Sequence, residues 1–140
     1  MTDTINHHMV MKCVAYENGI ALGDVVLEEI SEVLKRDNTF IWLGLREVNK
    51  QLLGKIQQEF GLHELAIEDA CSAHQRPKIE EYGDSLFIVL HTAHLGEDKV
   101  EFGESHLFLG PRFLVTVRHG ASKSLSKVRE RCEAMPKQLS

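Results

Sequence analysis

Between Lys78 and His119 the apolar side chains recur with a period of two, and a sheet is the arrangement that puts them on shared faces. Four segments, KIEEY, SLFIVLHTAH, KVEFGESHLFL and RFLVTVRH, are separated by turn signals at Gly83-Asp84, Gly96-Glu97-Asp98 and Gly110-Pro111. They read as an antiparallel meander. In the second segment Leu86, Ile88 and Leu90 alternate with Phe87 and Val89, so both faces of that strand are apolar. Helices are therefore expected on both sides of the sheet.

Upstream of Pro77 the pattern changes. MVMKCVAY reads as a first strand, with a turn at Asn18-Gly19 and ALGDVV as a short partner. Ile30, Val33 and Leu34 have helical spacing, and NTFIWLGL is a strand apolar on both faces, with Trp42 in the core. Val48, Leu52, Leu53, Ile56 and Phe60 mark a helix that stops at Gly61, a residue suited to a left-handed C-terminal cap. A further helix follows from Leu62, and Arg76-Pro77 ends it, because proline lacks a donor and disfavours helix at the residue before it. Arg76, Pro77 and Lys78 are read as this structural device, without a binding role. At the other end of the chain Ser122 or Ser124 can cap a helix with Leu125, Val128, Cys132 and Met135 along one stripe.

The 140 residues suffice for one domain, residues 1–140, with an ordinary 43% apolar and 26% charged residues. No window approaches the roughly 20 apolar residues that span a bilayer, and the N-terminus lacks a secretory pattern, so the chain reads as soluble and cytoplasmic. Cys13, Cys71 and Cys132 are odd in number and have no CxxC pairing, which suits reduced thiols. Net charge is uneven: residues 1–110 hold nine Lys/Arg against nineteen Asp/Glu, and residues 111–140 hold seven against two. The basic tail is interrupted by Glu130 and Glu133 and reads as a solvated helix face. Aromatic residues are not interleaved with basic ones, which excludes a nucleic-acid platform.

The chain carries no GxSxG, Walker, GxGxxG or HExxH motif, and no catalytic residue is assigned. Its histidines do not compose a site by spacing. His91 and His94 lie three apart on a strand and point to opposite faces, whereas His94 and His106 can face each other across a hairpin. His63 falls in the first turn of its helix, His74 and His119 fall in loops, and His7-His8 suggests adventitious transition-metal binding. A stand-alone small-molecule-binding or hydrolytic domain using His91, His94 and His106 is the competing reading.

One acidic cluster requires a partner. Counting about 100° per residue from Leu62, the side chains of Leu62, Leu65, Ala66, Ile67 and Ala70 sweep out an apolar face with Glu64 and Glu68 opposite, and Asp69 falls on its border. A carboxylate there loses hydration and needs a donor, a cation or a metal ion. Arg76 or the backbone amides of SAHQR are one answer. A hard cation such as Mg²⁺ or Ca²⁺, which takes carboxylate oxygens, is the other. Adjacent helix positions diverge too far to form a closed cage, so a second element or chain would complete such a site.

FIWLGL, FGLHELAIEDACSAHQRPKIEEYGDSLFIVL, FLVTVRHG and LSKVRERCE, in that order from Phe40 to Glu133, resemble the N-terminal cytoplasmic domain of the CorA family of divalent-cation transporters. The resemblance implies an α/β fold: a mixed, largely antiparallel sheet between helix layers, an α/β/α sandwich whose last helix begins a longer stalk. It also implies that the stalk's continuation and two transmembrane helices lie outside this chain, and that the full-length protein is a pentamer at the cytoplasmic face of the membrane. Its cargo would be Mg²⁺, with Co²⁺ or Ni²⁺ accepted and a zinc branch sharing the architecture. The acidic pair closing LHxLAxED lines a regulatory cation site between subunits in that family. Carried over, Asp69 is the principal carboxylate and Glu68 a secondary one.

Overall fold

The computed structural model describes residues 9–72, 75–120 and 126–134. β1 (Val10–Glu17) and β2 (Ile20–Asp24) form the expected hairpin, with Asn18 and Gly19 both in left-handed backbone at φ 53° and 83°. That conformation matches the turn to the twist of its strands, and asparagine and glycine are the residues that adopt it most readily. A single 3₁₀ turn (Leu27–Glu29) leads into the short helix α1 (Ile30–Leu34), then β3 (Thr39–Arg46), α2 (Lys50–Phe60) and α3 (Glu64–Ala70). The meander follows as β4 (Lys78–Tyr82), β5 (Ser85–Leu95), β6 (Val100–Gly110) and β7 (Phe113–Gly120), and α4 (Ser126–Ala134) comes last.

The strands form one sheet of order β2-β1-β3-β7-β6-β5-β4. Every neighbouring pair is antiparallel except β3 and β7, which run parallel from Ile41 opposite Phe113 to Arg46 opposite Arg118. The sheet is thus mixed, as expected, and the meander is intact.

α2 starts and stops where its chemistry dictates. The Asn49 side chain accepts from the Leu52 amide at 2.8 Å, and Gly61, at φ 68°, returns its N–H to the Gln57 carbonyl at 2.7 Å. Leu52, Leu53 and Ile56 on α2 and Ala66, Ile67 and Ala70 on α3 pack on Leu43, Leu45, Val115, Val117, Phe87 and Phe108 of the sheet. That is the main core.

The second face is covered unequally. α4 brings half-buried Cys132 against Val14, Tyr16 and Trp42, with Phe40 and Leu114 beside them. Farther along the sheet, Leu86 and Ile88 are only half-buried and Leu90 is exposed. Cover on both faces therefore holds at β1 and β3; over β5, the described residues leave the second face partly open. The proposed cap and both ends of the α4 stripe, Ser122, Ser124, Leu125 and Met135, lie outside the described residues, as do His7 and His8.

All three cysteines are free. Burial, with Asp24 nearby, pushes the Cys13 thiol up to about 12, so it is an inert core group.

α4 is tied to the sheet by one polar contact inside an apolar setting. Tyr16 is fully buried, and its hydroxyl donates to the Glu133 carboxylate at 2.5 Å. Burial first, then this hydrogen bond, raises the phenol above its ordinary range. Tyr16→Phe deletes the donor without opening a cavity. A loss of about 1–2 kcal/mol in urea denaturation is expected, because the bond is to a charged acceptor. An unchanged midpoint would show that this contact does not hold α4.

Candidate functional site

α3 is two turns long, and its entry is set by His63. That residue is the N-cap, its Nδ1 accepting from the Leu65 amide at 3.1 Å, while its ring stacks on Tyr82 at 4.2 Å between centroids. Ala66, Ile67 and Ala70 are buried, whereas Glu64 and Glu68 face solvent as expected. Leu65 departs from expectation at 55% exposure. A helix this short rests on the sheet through one narrow stripe, and Leu65 lies outside it.

Asp69 sits at the margin of that stripe, and its partner is Lys78. The Lys78 ammonium lies 2.6 Å from Asp69 Oδ2 and 2.9 Å from Glu80 Oε1. Register explains the meeting: Lys78 pairs with Val89 and Glu80 with Phe87, so the β4 side chains at 78 and 80 share the face on which α3 rests. The ammonium also stands 5.8 Å from the centre of the Phe87 ring. Hydrogen bonds to Asp69 and then to Glu80 raise its pKa, against a smaller opposing effect of burial. Arg76, one expected partner, is exposed and lines a neighbouring groove instead. Ala73 and His74, whose amides belong to the other expectation, are outside the described residues. Reading Lys78 as part of a purely structural boundary missed its role, although the alternation of KIEEY already placed Lys78 and Glu80 on one face.

Glu68 does not join this pair, because adjacent helical positions point apart and its side chain stays in solvent. Among the described residues no group of three or more His, Cys, Asp or Glu side chains is arranged to hold a metal ion. A cation at Asp69 Oδ2 would draw its other ligands from elsewhere and would compete with Lys78 for that oxygen.

His91, His94 and His106 do not converge on one site. His94 is paired in register with Glu101, its Nε2 3.5 Å from that carboxylate, and His106 is opposite Val89; the expected meeting of His94 and His106 does not occur. His91 shares the inner face with His106, and its Nε2 meets the Gln75 carbonyl, so His91 and His94 point apart as expected. His119 belongs to β7 rather than to a loop and is buried. Its Nε2 lies 2.8 Å from the Ala70 carbonyl and its Nδ1 3.2 Å from Glu47 Oε1, and its ring centre is 4.8 Å from that of His106. His106 is wholly buried and meets Glu104 at 2.9 Å. Burial lowers the His106 pKa, and Glu104 opposes this. Spacing did not disclose this pair, because two strands bring it together from thirteen positions apart in the chain.

A double-mutant cycle over Lys78→Met and Asp69→Asn tests the ion pair. With side chains 30% and 31% exposed, water screens the attraction, and a coupling of no more than about 1 kcal/mol is expected. Because the folded pKa of Lys78 is raised, this coupling is fully present below the ordinary value of 10.5 and is lost as pH rises through the raised value. Zero coupling at neutral pH would show that the pair contributes nothing to stability.

The model of the family "CorA-like Mg2+ transporter protein" matches residues 37–140. The putative metal ion transporter YfjQ of Bacillus subtilis is 32% identical over 107 residues, which cover 76% of this chain and 33% of that protein. Among solved structures, full-length CmaX superposes with a TM-score of 0.72 at 18% identity, over 92% of this chain and 40% of the other. The soluble domain of CorA from Methanocaldococcus jannaschii gives 0.59 at 14% identity, over 90% of this chain and 48% of the other. The chain thus spans about a third of the length of its curated relative. The likeness of fold confirms the α/β architecture; the sequence match over residues 37–140 goes further, and the chain belongs to the family of CorA-like Mg²⁺ transporter proteins.

Proposed function

We propose that this chain is the regulatory, cation-sensing cytoplasmic domain of a divalent-cation transporter, with Asp69 the principal carboxylate and Glu68 the secondary one. The observation that carries the proposal is the state of Asp69 in a chain of this family. It is a half-buried helix carboxylate whose partner is a lysine that also reaches a second carboxylate, Glu80. Such a lysine can transfer to Glu80 when a divalent cation takes Asp69, so the carboxylate is neutralised in both states. In the whole protein, a pentamer anchored through membrane helices, the remaining ligands come from the neighbouring subunit. With the ion bound, two subunits are bridged; when Mg²⁺ falls, the bridge is lost and an open state gains population. The function is transport and its regulation rather than catalysis, with Mg²⁺ as cargo and Co²⁺ or Ni²⁺ accepted.

Half a site competes poorly with water for an ion that dehydrates reluctantly. This chain alone is therefore expected to bind Mg²⁺ in the millimolar range or more weakly. When free Mg²⁺ equals Kd, linkage adds about 0.4 kcal/mol. Thermal melting should rise by about 1–2 °C. Asp69→Asn should abolish that rise, and Lys78→Met, which removes the competing ammonium, should enlarge it. A large stabilisation by millimolar Mg²⁺ that survives Asp69→Asn would place the ion elsewhere and refute the assignment. A shift by Zn²⁺ that is indifferent to Asp69 reports the histidines, since imidazole prefers transition metals.

A further inference from the structure

We propose that His119 is a proton-dependent latch: as the imidazolium it donates from Nε2 to the Ala70 carbonyl at the end of α3 and from Nδ1 to the Glu47 carboxylate, and loss of its proton releases Glu47. The geometry points to this because both ring nitrogens face acceptors, at 2.8 Å and 3.2 Å. A backbone carbonyl cannot donate, nor can an ionised carboxylate, and a neutral imidazole has one N–H to share between two partners. The two-donor form is the one that satisfies both.

The surroundings fit a single positive charge at this position. Across the β6–β7 ladder His119 is paired with Glu104, which accepts from the Gln75 amide at 3.1 Å and meets His106 Nε2 at 2.9 Å. His106 Nδ1 is buried with no hydrogen-bond partner among the described residues, and burial lowers its pKa. Of two rings 4.8 Å apart, His119 is thus the one with an acceptor at each nitrogen, whereas among the described residues His106 has a partner at only one. From α3 the contact is the Ala70 carbonyl, while the neighbouring Asp69 is held by Lys78. Arg76 and His91 line the groove of about 460 Å³ that reaches His119 and Gly120, and give it a route to solvent.

Glu47, rather than the Ala70 carbonyl, is the partner that leaves. Its side chain is 58% exposed and can turn to water, whereas Ala70 is fully buried. Glu47 also adopts left-handed backbone at φ 47°, which a non-glycine side chain disfavours, and its carboxylate further accepts from the Gly120 amide at 3.4 Å. Proton loss therefore frees the Glu47 carboxylate from the ring at the end of β7, while the Glu47 amide keeps its bond to the Arg118 carbonyl at 3.0 Å. This holds whether or not α3 meets a cation.

Nitrogen-15 spectra of the histidine rings of the 140-residue chain, between about pH 5 and pH 8, test the latch. Two protonated nitrogens are expected on His119 at the acid end and one at the alkaline end, with the Glu47 and Gly120 amide signals moving along the same curve. In Glu47→Gln the ring should lose its proton at lower pH, and the Gly120 amide should no longer follow it. His119→Gln, if it folds, should leave both amides indifferent to pH. A His119 ring with one protonated nitrogen throughout, or amides that do not track the ring, would overturn the proposal. So would a Glu47→Gln ring that titrates as in the wild type.

Discussion

Parallel pairing of β3 with β7 governs the rest of the molecule. Parallel strands cannot be joined by a tight turn, so the chain between Arg46 and Phe113 must leave the sheet and return. Here that excursion contains α2, α3 and the three antiparallel strands β4 to β6, which extend the same sheet on the far side of β7. The two central strands then need cover on both faces, and their residues supply it: Leu43, Leu45, Val115 and Val117 turn toward α2 and α3, while Trp42 and Leu114 turn toward α4. A hydrophobic core on each face follows from one pairing.

The same excursion creates the candidate site. α3 must end and β4 must begin within a few residues, and Pro77 makes the change abrupt. The end of a short helix is thereby laid against the inner face of the outermost strand, and Asp69 meets Lys78 there. An ion pair in this setting contributes little to stability. Its side chains retain contact with water, and the ammonium has an alternative carboxylate in Glu80. Ala70, the next residue, is held from the other side by His119, so the last turn of α3 connects with both ends of the meander.

Much of this was legible in the residues. The meander, the Gly61 cap, the β1–β2 turn and the core position of Trp42 follow from period and turn chemistry, which are local properties. Asp69 was identifiable as a carboxylate in need of a partner because helical periodicity put it on a border. The partner was not identifiable in the same way. Arg76 precedes β4 and Lys78 is its first residue, and the choice between them depends on where that strand begins against α3, a tertiary relation that the strand pattern alone leaves open. His119 and His106 were hidden for a similar reason: cross-strand register brings them together, and register is set by turn geometry and packing. The open second face over β5 shows the opposite case, where local pattern demanded cover and the described helices supply it only over β1 and β3.

The central claim is that Asp69 exchanges Lys78 for a divalent cation. The most direct measurement follows the Lys78 Nζ and Asp69 carboxyl resonances together while Mg²⁺ is added to the protein at constant ionic strength. The account predicts that both signals move along one binding curve, with Lys78 Nζ shifting toward the environment it has in Asp69→Asn. Mg²⁺ that shifts neither signal, or an Asp69 signal that moves while Lys78 keeps its hydrogen bond, would contradict it.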